Sequence, residues 1–294
     1  MNTLRIGPKL VGEGQPCFII AEAGVNHNGN MALAMRLIDI AASAGVDAIK
    51  FQKRAPEIIY STEELSGPPD WAHDFGETLL EYWDTLELPE SKHIQLMEYA
   101  NNRGLIYLCS AFDLFSLDFT VDVLKVPAIK VPSCMTHNVN FLKAVADEDL
   151  PVICSTGFST EDHVVDISSI LPDSRTIYLQ CTAVYPCPYD KVDLRAMEWM
   201  AGDGLAGYSG HERGIHIPLA AVALGACVVE KHITADRTLP GCDQAASLEP
   251  DGLYRMVRNI RDVEAALQAD GKRLHELEKE AAARLKVDLR PEEG

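Results

Sequence analysis

The sequence predicts an α/β chain whose parallel strands close into a (β/α)8 barrel of the TIM type. Three observations carry that expectation. Eight short apolar runs recur along the 294 residues, amphipathic stretches of helical period separate them, and nearly every run ends in a polar or ionisable side chain. Strands alternating with helices imply a parallel sheet, and eight such units favour a closed barrel over an open doubly wound sheet. Barrels of about 250 residues stay undivided, so the reading is one barrel domain over 1–269 and a charged, Ala-rich helical tail over 270–294.

Residues 3 to 17, which contain RIGPKLVGEGQP, read as a hairpin that closes the N-terminal mouth of the barrel. The eight strands follow: FIIAEAG (18–24), VDAIKFQ (46–52), LIYLCS (105–110), AIKVPS (128–133), PVICSTG (151–157), TIYLQCT (176–182), LAGYSG (205–210) and CVVEKH (227–232). A long insertion, residues 54–89, leaves the C-terminal end of the second strand, the side on which barrel enzymes carry their sites. Its Trp71, Phe75, Tyr82 and Trp83 are candidates to cover a ligand, against the plainer reading of a surface excursion. The last barrel helix starts at Glu249, Pro250 and Asp251, and Leu253, Val257, Ile260, Val263 and Leu267 recur at helical spacing to pack on the barrel.

A hydrophobic fraction of 47% and a charged fraction of 24% support a sizeable core. A formal net charge of -18 argues against nucleic acid or an anionic membrane surface as partner, so any phosphate needs a local cluster of cations. The eight cysteines show no CxxC and no zinc-ligand spacing. With no signal-peptide core and no run long enough to span a bilayer, a reducing cytoplasm is the expected home.

The strand ends deliver Glu22, Lys50, Ser110, Lys130 with Ser133, Ser155, Thr182, Ser209 with His211, and Glu230 with His232. In a barrel these ends converge on one mouth. Lys50 and Lys130 close apolar strands, where an unpaired ammonium is costly, so each wants an anion. Serine hydroxyls and backbone N–H groups beside them suit a phosphate or carboxylate; a structural salt bridge to Glu22 or Glu230 is the alternative. In VVEKHITAD (228–236) alternation sends Glu230 and His232 to one side and Lys231 to the other, against the helix layer or a salt-bridge partner. His211 and His232, from adjacent strands, could give two imidazoles to one metal, with Glu22 across the mouth and positions left for water and substrate.

With these residues in place, the chain resembles the sialic acid synthase (NeuB-like) family, which condenses phosphoenolpyruvate with open-chain aldehyde sugars. The resemblance rests on FIIAEAGVNHNG (18–29), DAIKFQK (47–53), IKVPS (129–133), STG (155–157), CTAVYPCP (181–188), GYSGHERG (207–214), and GACVVEKHIT followed by GCDQAASLEP within 225–250. It implies a TIM-type barrel enzyme with Lys50, Ser110, Lys130, Ser133, Ser155 and Ser209 on phosphoenolpyruvate. His211 and His232 would then hold Mn2+ or Mg2+, with Glu22 near the ion's water shell. Tyr185, Glu230, Asp243 and Gln244 would face the aldehyde acceptor, and Glu22, Lys50, Lys130 and Glu230 would carry the chemistry.

The resemblance has departures. Met135 stands where many relatives place a carboxylate, Ala183 replaces a frequent asparagine, Gln244 stands where histidine often occurs, and no antifreeze-like domain follows before Gly294. The phosphoenolpyruvate half is thus kept and the sugar half altered, so the expectation is an acceptor other than N-acetylmannosamine, enclosed by the 54–89 insertion. Because relatives pair largely through the absent domain, a homodimer stays an open expectation. Two other functions also stay open: a non-catalytic barrel that binds phosphorylated metabolites or a partner enzyme, and a metal-dependent aldolase that does not use phosphoenolpyruvate. Four costly polar groups at one mouth oppose the first, and retention of both lysines opposes the second.

Overall fold

A computed structural model describes residues 2–69, 74–202, 204–268 and 271–288. The antiparallel hairpin is β1 (Thr3–Ile6) and β2 (Lys9–Gly12), with Thr3 opposite Gly12 and Ile6 opposite Lys9. Eight parallel strands then close in chain order: β3 (Phe18–Gly24), β4 (Ala48–Lys53), β5 (Ile106–Ala111), β6 (Ile129–Val131), β7 (Val152–Ser155), β8 (Thr176–Cys181), β9 (Leu205–Gly210) and β10 (Val228–His232), with β10 pairing back onto β3. The barrel and its hairpin are those the sequence predicts, with strand ends displaced by a residue or two.

Period-two alternation divides each strand between two cores. Outward residues such as Ile19, Ala21, Ile49, Phe51, Tyr107 and Val229 pack beneath the helices. Inward residues Phe18, Ile20, Ala48, Leu108, Ala128, Ile153, Ile177, Leu179 and Val228 fill the lumen. Ile6 and Val11 of the hairpin join that lumen cluster, so the hairpin plugs the N-terminal mouth. With the floor filled and sealed, the inward positions one step further along each strand are left for polar groups.

The helix Pro250–Ala266 buries Leu253, Met256, Val257 and Ile260, whereas Leu267 lies beyond its last turn and is exposed. In the tail a helix spans Glu276–Leu285. All eight cysteines are free thiols, and no helix among the described residues is long and apolar enough to cross a membrane.

The insertion contributes three short helices, Pro56–Ile59, Thr62–Ser66 and Leu79–Leu86. Trp71 lies outside the described residues. The other aromatics face inward and do not line the strand-end cavity: Phe75, Tyr82 and Trp83 pack with Val25, Leu65, Leu79 and Leu86 into a small core of their own. An excursion whose helices present apolar faces must bury them somewhere, and here they bury against each other and the loop after β3.

Candidate active site

The lumen turns polar at the C-terminal ends of the strands. Register places Glu22 of β3 between His232 of β10 and Lys50 of β4, Ser110 of β5 opposite Lys130 of β6, and Ser209 of β9 opposite Glu230 of β10. Phe18, Ile20 and Glu22 share one face of β3 as Val228, Glu230 and His232 share one face of β10, so the residues that build the floor also aim the reactive groups.

Two buried lysines organise the site. Lys50 Nζ lies 3.0 Å from Glu22 Oε2 and 3.5 Å from Glu230 Oε1, and donates to Ser110 Oγ at 2.8 Å. Lys130 Nζ donates to Ser155 Oγ at 2.6 Å and to the Val131 carbonyl at 3.1 Å, with Glu230 Oε1 3.9 Å away. Ser209 Oγ donates to the same Glu230 oxygen at 3.1 Å. The salt bridges to Glu22 and Glu230, the alternative reading of the two lysines, are thus present. Glu22 Oε2 is engaged by the Lys50 ammonium, whereas the buried Glu230 Oε2 accepts no hydrogen bond, so that carboxylate keeps one oxygen with unused capacity.

Burial and charge set opposite biases on these groups. For Glu230, burial alone would raise the carboxyl, but Lys130 and Lys50 overcome it and hold it down at about 2. Glu22 is raised: its burial outweighs the attraction of Lys50 and His232. Lys50 is raised because Glu22 and Glu230 overcome its desolvation, whereas desolvation prevails at Lys130 and lowers it. Burial thus favours the neutral form at Glu22, and the lysines favour the ionised form at Glu230.

His211 and His232 stand side by side, ring centroids 5.3 Å apart, as their adjacent strands require. His211 Nδ1 lies 3.0 Å from the Thr182 carbonyl, which can only accept, so that nitrogen carries the proton and Nε2 keeps its lone pair. Burial, helped by the neighbouring His232, lowers His211 to about 3 and keeps it neutral, as a metal ligand must be. His232 Nδ1 faces the Asp243 carboxylate at 3.5 Å and makes no aligned hydrogen bond. The pair suits an incomplete cage: among the described residues no three His, Cys, Asp or Glu side chains gather as metal ligands, so further coordination would come from water or substrate.

Lys50, Lys130, Ser110, Ser133, Ser155, Ser209, Glu22, Glu230, Tyr185, His211 and His232 all line one small cavity of about 120 Å³ at the mouth. Tyr185 stacks on His211 at 4.0 Å between centroids and meets His232 edge-on at 5.6 Å. Ser133 Oγ accepts from the Gly157 backbone N–H at 3.1 Å. Two expected acceptor contacts lie elsewhere. Asp243 sits behind His232, and Gln244 is buried with its amide on Asn28 Oδ1 and the Asn26 carbonyl, both at 3.2 Å, and on Thr234. Gln244 fastens the loop after β10 to the loop after β3, because a buried amide must satisfy both its ends.

Gln52, Phe112, Cys134, Phe158 and Cys181 line the cavity as well and were not singled out in the sequence. Gln52 was within reach: it lies two residues beyond Lys50 on the same strand face, and its Nε2 donates to Glu22 Oε1 at 2.9 Å. Of the three substitutions expected to alter the sugar half, Ala183 lines the cavity, Met135 is buried with Phe141 and Leu142 in the helix-layer core, and Gln244 ties the two loops together. Lys231 turns away from the mouth, as alternation requires, into a fully buried ion pair with Glu212 Oε1 at 2.8 Å.

Comparison with known proteins follows the same lines. The model of the NeuB family matches residues 37–272. N,N'-diacetyllegionaminic acid synthase of Legionella pneumophila is 38% identical over 296 residues, spanning 97% of this chain and 83% of the relative. Human N-acetylneuraminate-9-phosphate synthase is 38% identical over 271 residues, spanning 90% of this chain and 75% of the relative. The crystal structure of N-acetylneuraminic acid synthetase from Leptospira borgpetersenii serovar Hardjo-bovis, in complex with citrate, superposes with a TM-score of 0.83 at 30% identity, covering 97% of this chain and 96% of that one.

Proposed function

The chain belongs to the NeuB family, and from that premise we propose that it condenses phosphoenolpyruvate with an aldehyde sugar or sugar-like acceptor, giving a 3-deoxy-2-ulosonic acid and phosphate. The observation that carries this reading is the convergence of Lys50 and Lys130, each on a serine hydroxyl, with Glu22 and Glu230 beside two neutral-capable imidazoles in one lumen. Relatives named as sugar-acid synthases support the reaction class.

Phosphoenolpyruvate presents a phosphate and a carboxylate, and the two lysines with Ser110, Ser133, Ser155 and Ser209 offer charge-assisted and hydroxyl donors to both. Its arrival gives Lys50 and Lys130 richer partners than the carboxylates that pair with them in the free protein. Glu230, held ionised, then faces the positive charge that develops at C2 as C3 bonds to the aldehyde carbon. Glu22, raised by burial, accepts the proton of the water that attacks C2, while the former aldehyde oxygen gains a proton. Loss of the phosphate from C2 completes the product. Held by His211 and His232, a divalent ion, manganese or magnesium, would supply Lewis acidity at the aldehyde oxygen. Tyr185, packed on His211 and edge-on to His232, would orient the acceptor above them.

Ala183 offers no hydrogen bond from a side chain that lines the cavity. A site discriminates for a polar substituent by groups that a lesser substrate leaves unpaired, so an N-acyl sugar gains little here and N-acetylmannosamine is expected to be a poor substrate. The test is incubation with manganese, phosphoenolpyruvate and a panel of aldoses, reading phosphate release. Acceptor-dependent release supports the synthase reading, and its absence with every aldose sinks it. Efficient, saturable formation of N-acetylneuraminate would overturn the acceptor reading alone.

A further inference from the structure

The geometry points to Arg54 as a positioning residue that sets Gln52, and through it Glu22, for the reaction proposed above. Arg54 is 6% exposed, and its guanidinium lies 4.0 Å from the ring centroids of both Trp83 and Phe112. Its Nε stands 2.9 Å from Glu87 Oε1, and its Nη2 donates to Gln52 Oε1. A planar cation stacked on both sides and ion-paired at one edge has little freedom to turn.

That rigidity decides which way the Gln52 amide points. A guanidinium only donates, so the end of the amide beside it is the oxygen, and the NH2 end must face Glu22, where it donates to Oε1 at 2.9 Å. Glu22 Oε2 is thereby left to the Lys50 ammonium, at 3.0 Å. Without Arg54 the amide could reverse and present its oxygen to the carboxylate, or leave it. Phe112, the other side of the stack, lines the cavity. Trp83 and Glu87 lie within the 54–89 insertion, so its described part acts on the site as a brace behind Gln52 and Phe112.

The test is a double-mutant cycle between Arg54 and Gln52. Glu87 also pairs with Lys53 at 3.2 Å, so the Arg54→Met, Glu87→Gln pair, which keeps the local net charge, is compared with Gln52→Leu and with all three changes together. Acceptor-dependent kcat is expected to fall about tenfold or more in either arm and no further when they are combined, because contacting residues are not additive. KM for phosphoenolpyruvate should stay within about threefold, since the lysines are untouched. Losses that multiply, or a wild-type kcat without Arg54, overturn the proposal. Arg54→Lys keeps a charge opposite Glu87 and so preserves the fold, but it lacks the planar face; it is expected to lose kcat likewise, and wild-type kcat there also overturns the proposal. A readout independent of turnover separates this inference from the functional reading. In a crystal structure of the Arg54→Met, Glu87→Gln variant, Gln52 is expected to leave Glu22. A retained Gln52–Glu22 hydrogen bond overturns the positioning role whatever the enzyme proves to make.

Discussion

Lys130 and Lys50 differ in a way that only their neighbours explain. Both end the sequence AIK on an inward strand position, yet Lys50 has two carboxylates within 3.5 Å and Lys130 has its nearest at 3.9 Å. Desolvation consequently wins at Lys130 and loses at Lys50. Replacing either by methionine should weaken phosphoenolpyruvate binding at least tenfold by calorimetry, since each removes a charge-assisted contact of roughly 1.5–3 kcal/mol. Unchanged affinity in both variants would exclude the anion site. The lowered Lys130 also gives a pH dependence with a definite sign. An anion binds the protonated amine, so affinity should decline as pH rises through the Lys130 pKa, at a lower pH than an ordinary lysine dictates. Lys130→Arg should remove that decline, because arginine keeps its charge. The lysines, serines and histidines of the site were legible from strand endings, since they sit on inward strand positions or, for Ser133 and His211, just past the strand. Gln244 was not, because the loop beyond β10 has no periodicity to say that its amide turns to Asn26 and Asn28.

At the scale of elements, strand β10 shows how alternation distributes charge. Glu230 and His232 enter the site while Lys231 enters the helix layer, where it meets Glu212 with both side chains at 0% exposure. Removing one partner strands the other, so Lys231→Met should cost about 3–5 kcal/mol of stability in denaturant titration, and Lys231→Met with Glu212→Leu should recover much of it. Equal losses in the single and double variants would contradict this. The insertion is fastened by a close backbone approach: at Gly29, with φ +69, an added Cβ would stand 1.9 Å from the Thr85 carbonyl oxygen. Gly29→Ala should therefore displace the helix Leu79–Leu86 and speed proteolysis within the insertion, beyond the roughly 1–3 kcal/mol that left-handed backbone costs a side chain. Unaltered cleavage would show that the loop yields instead. The insertion's aromatic content suggested a cover; its actual placement depends on which surface its apolar faces meet, and the linear sequence does not contain that partner.

For the whole molecule, closure of the barrel is the organising event, because it brings His211 and His232 beside Glu22 although β3 and β10 lie at opposite ends of the chain. A divalent ion held by His211, just past β9, and His232 of β10 should stabilise the closed fold by linkage, about 2.7 kcal/mol at roughly a hundredfold excess over Kd. Thermal unfolding should accordingly shift upward with manganese in the wild type and not in His211→Ala, whose fold should otherwise persist. A shift of equal size in the variant would place the ion elsewhere. The sequence by itself determined the barrel, its hairpin plug and the strand-end constellation, because period-two alternation and the order of apolar runs are local properties that closure merely repeats eight times. Only the tertiary structure decided that Glu22 is raised while Glu230 is held low, that Asp243 stands behind His232, and that Arg54 is clamped between Trp83 and Phe112. Those outcomes depend on distances between residues far apart in the chain, and electrostatic and stacking energies follow such distances and not the order of residues.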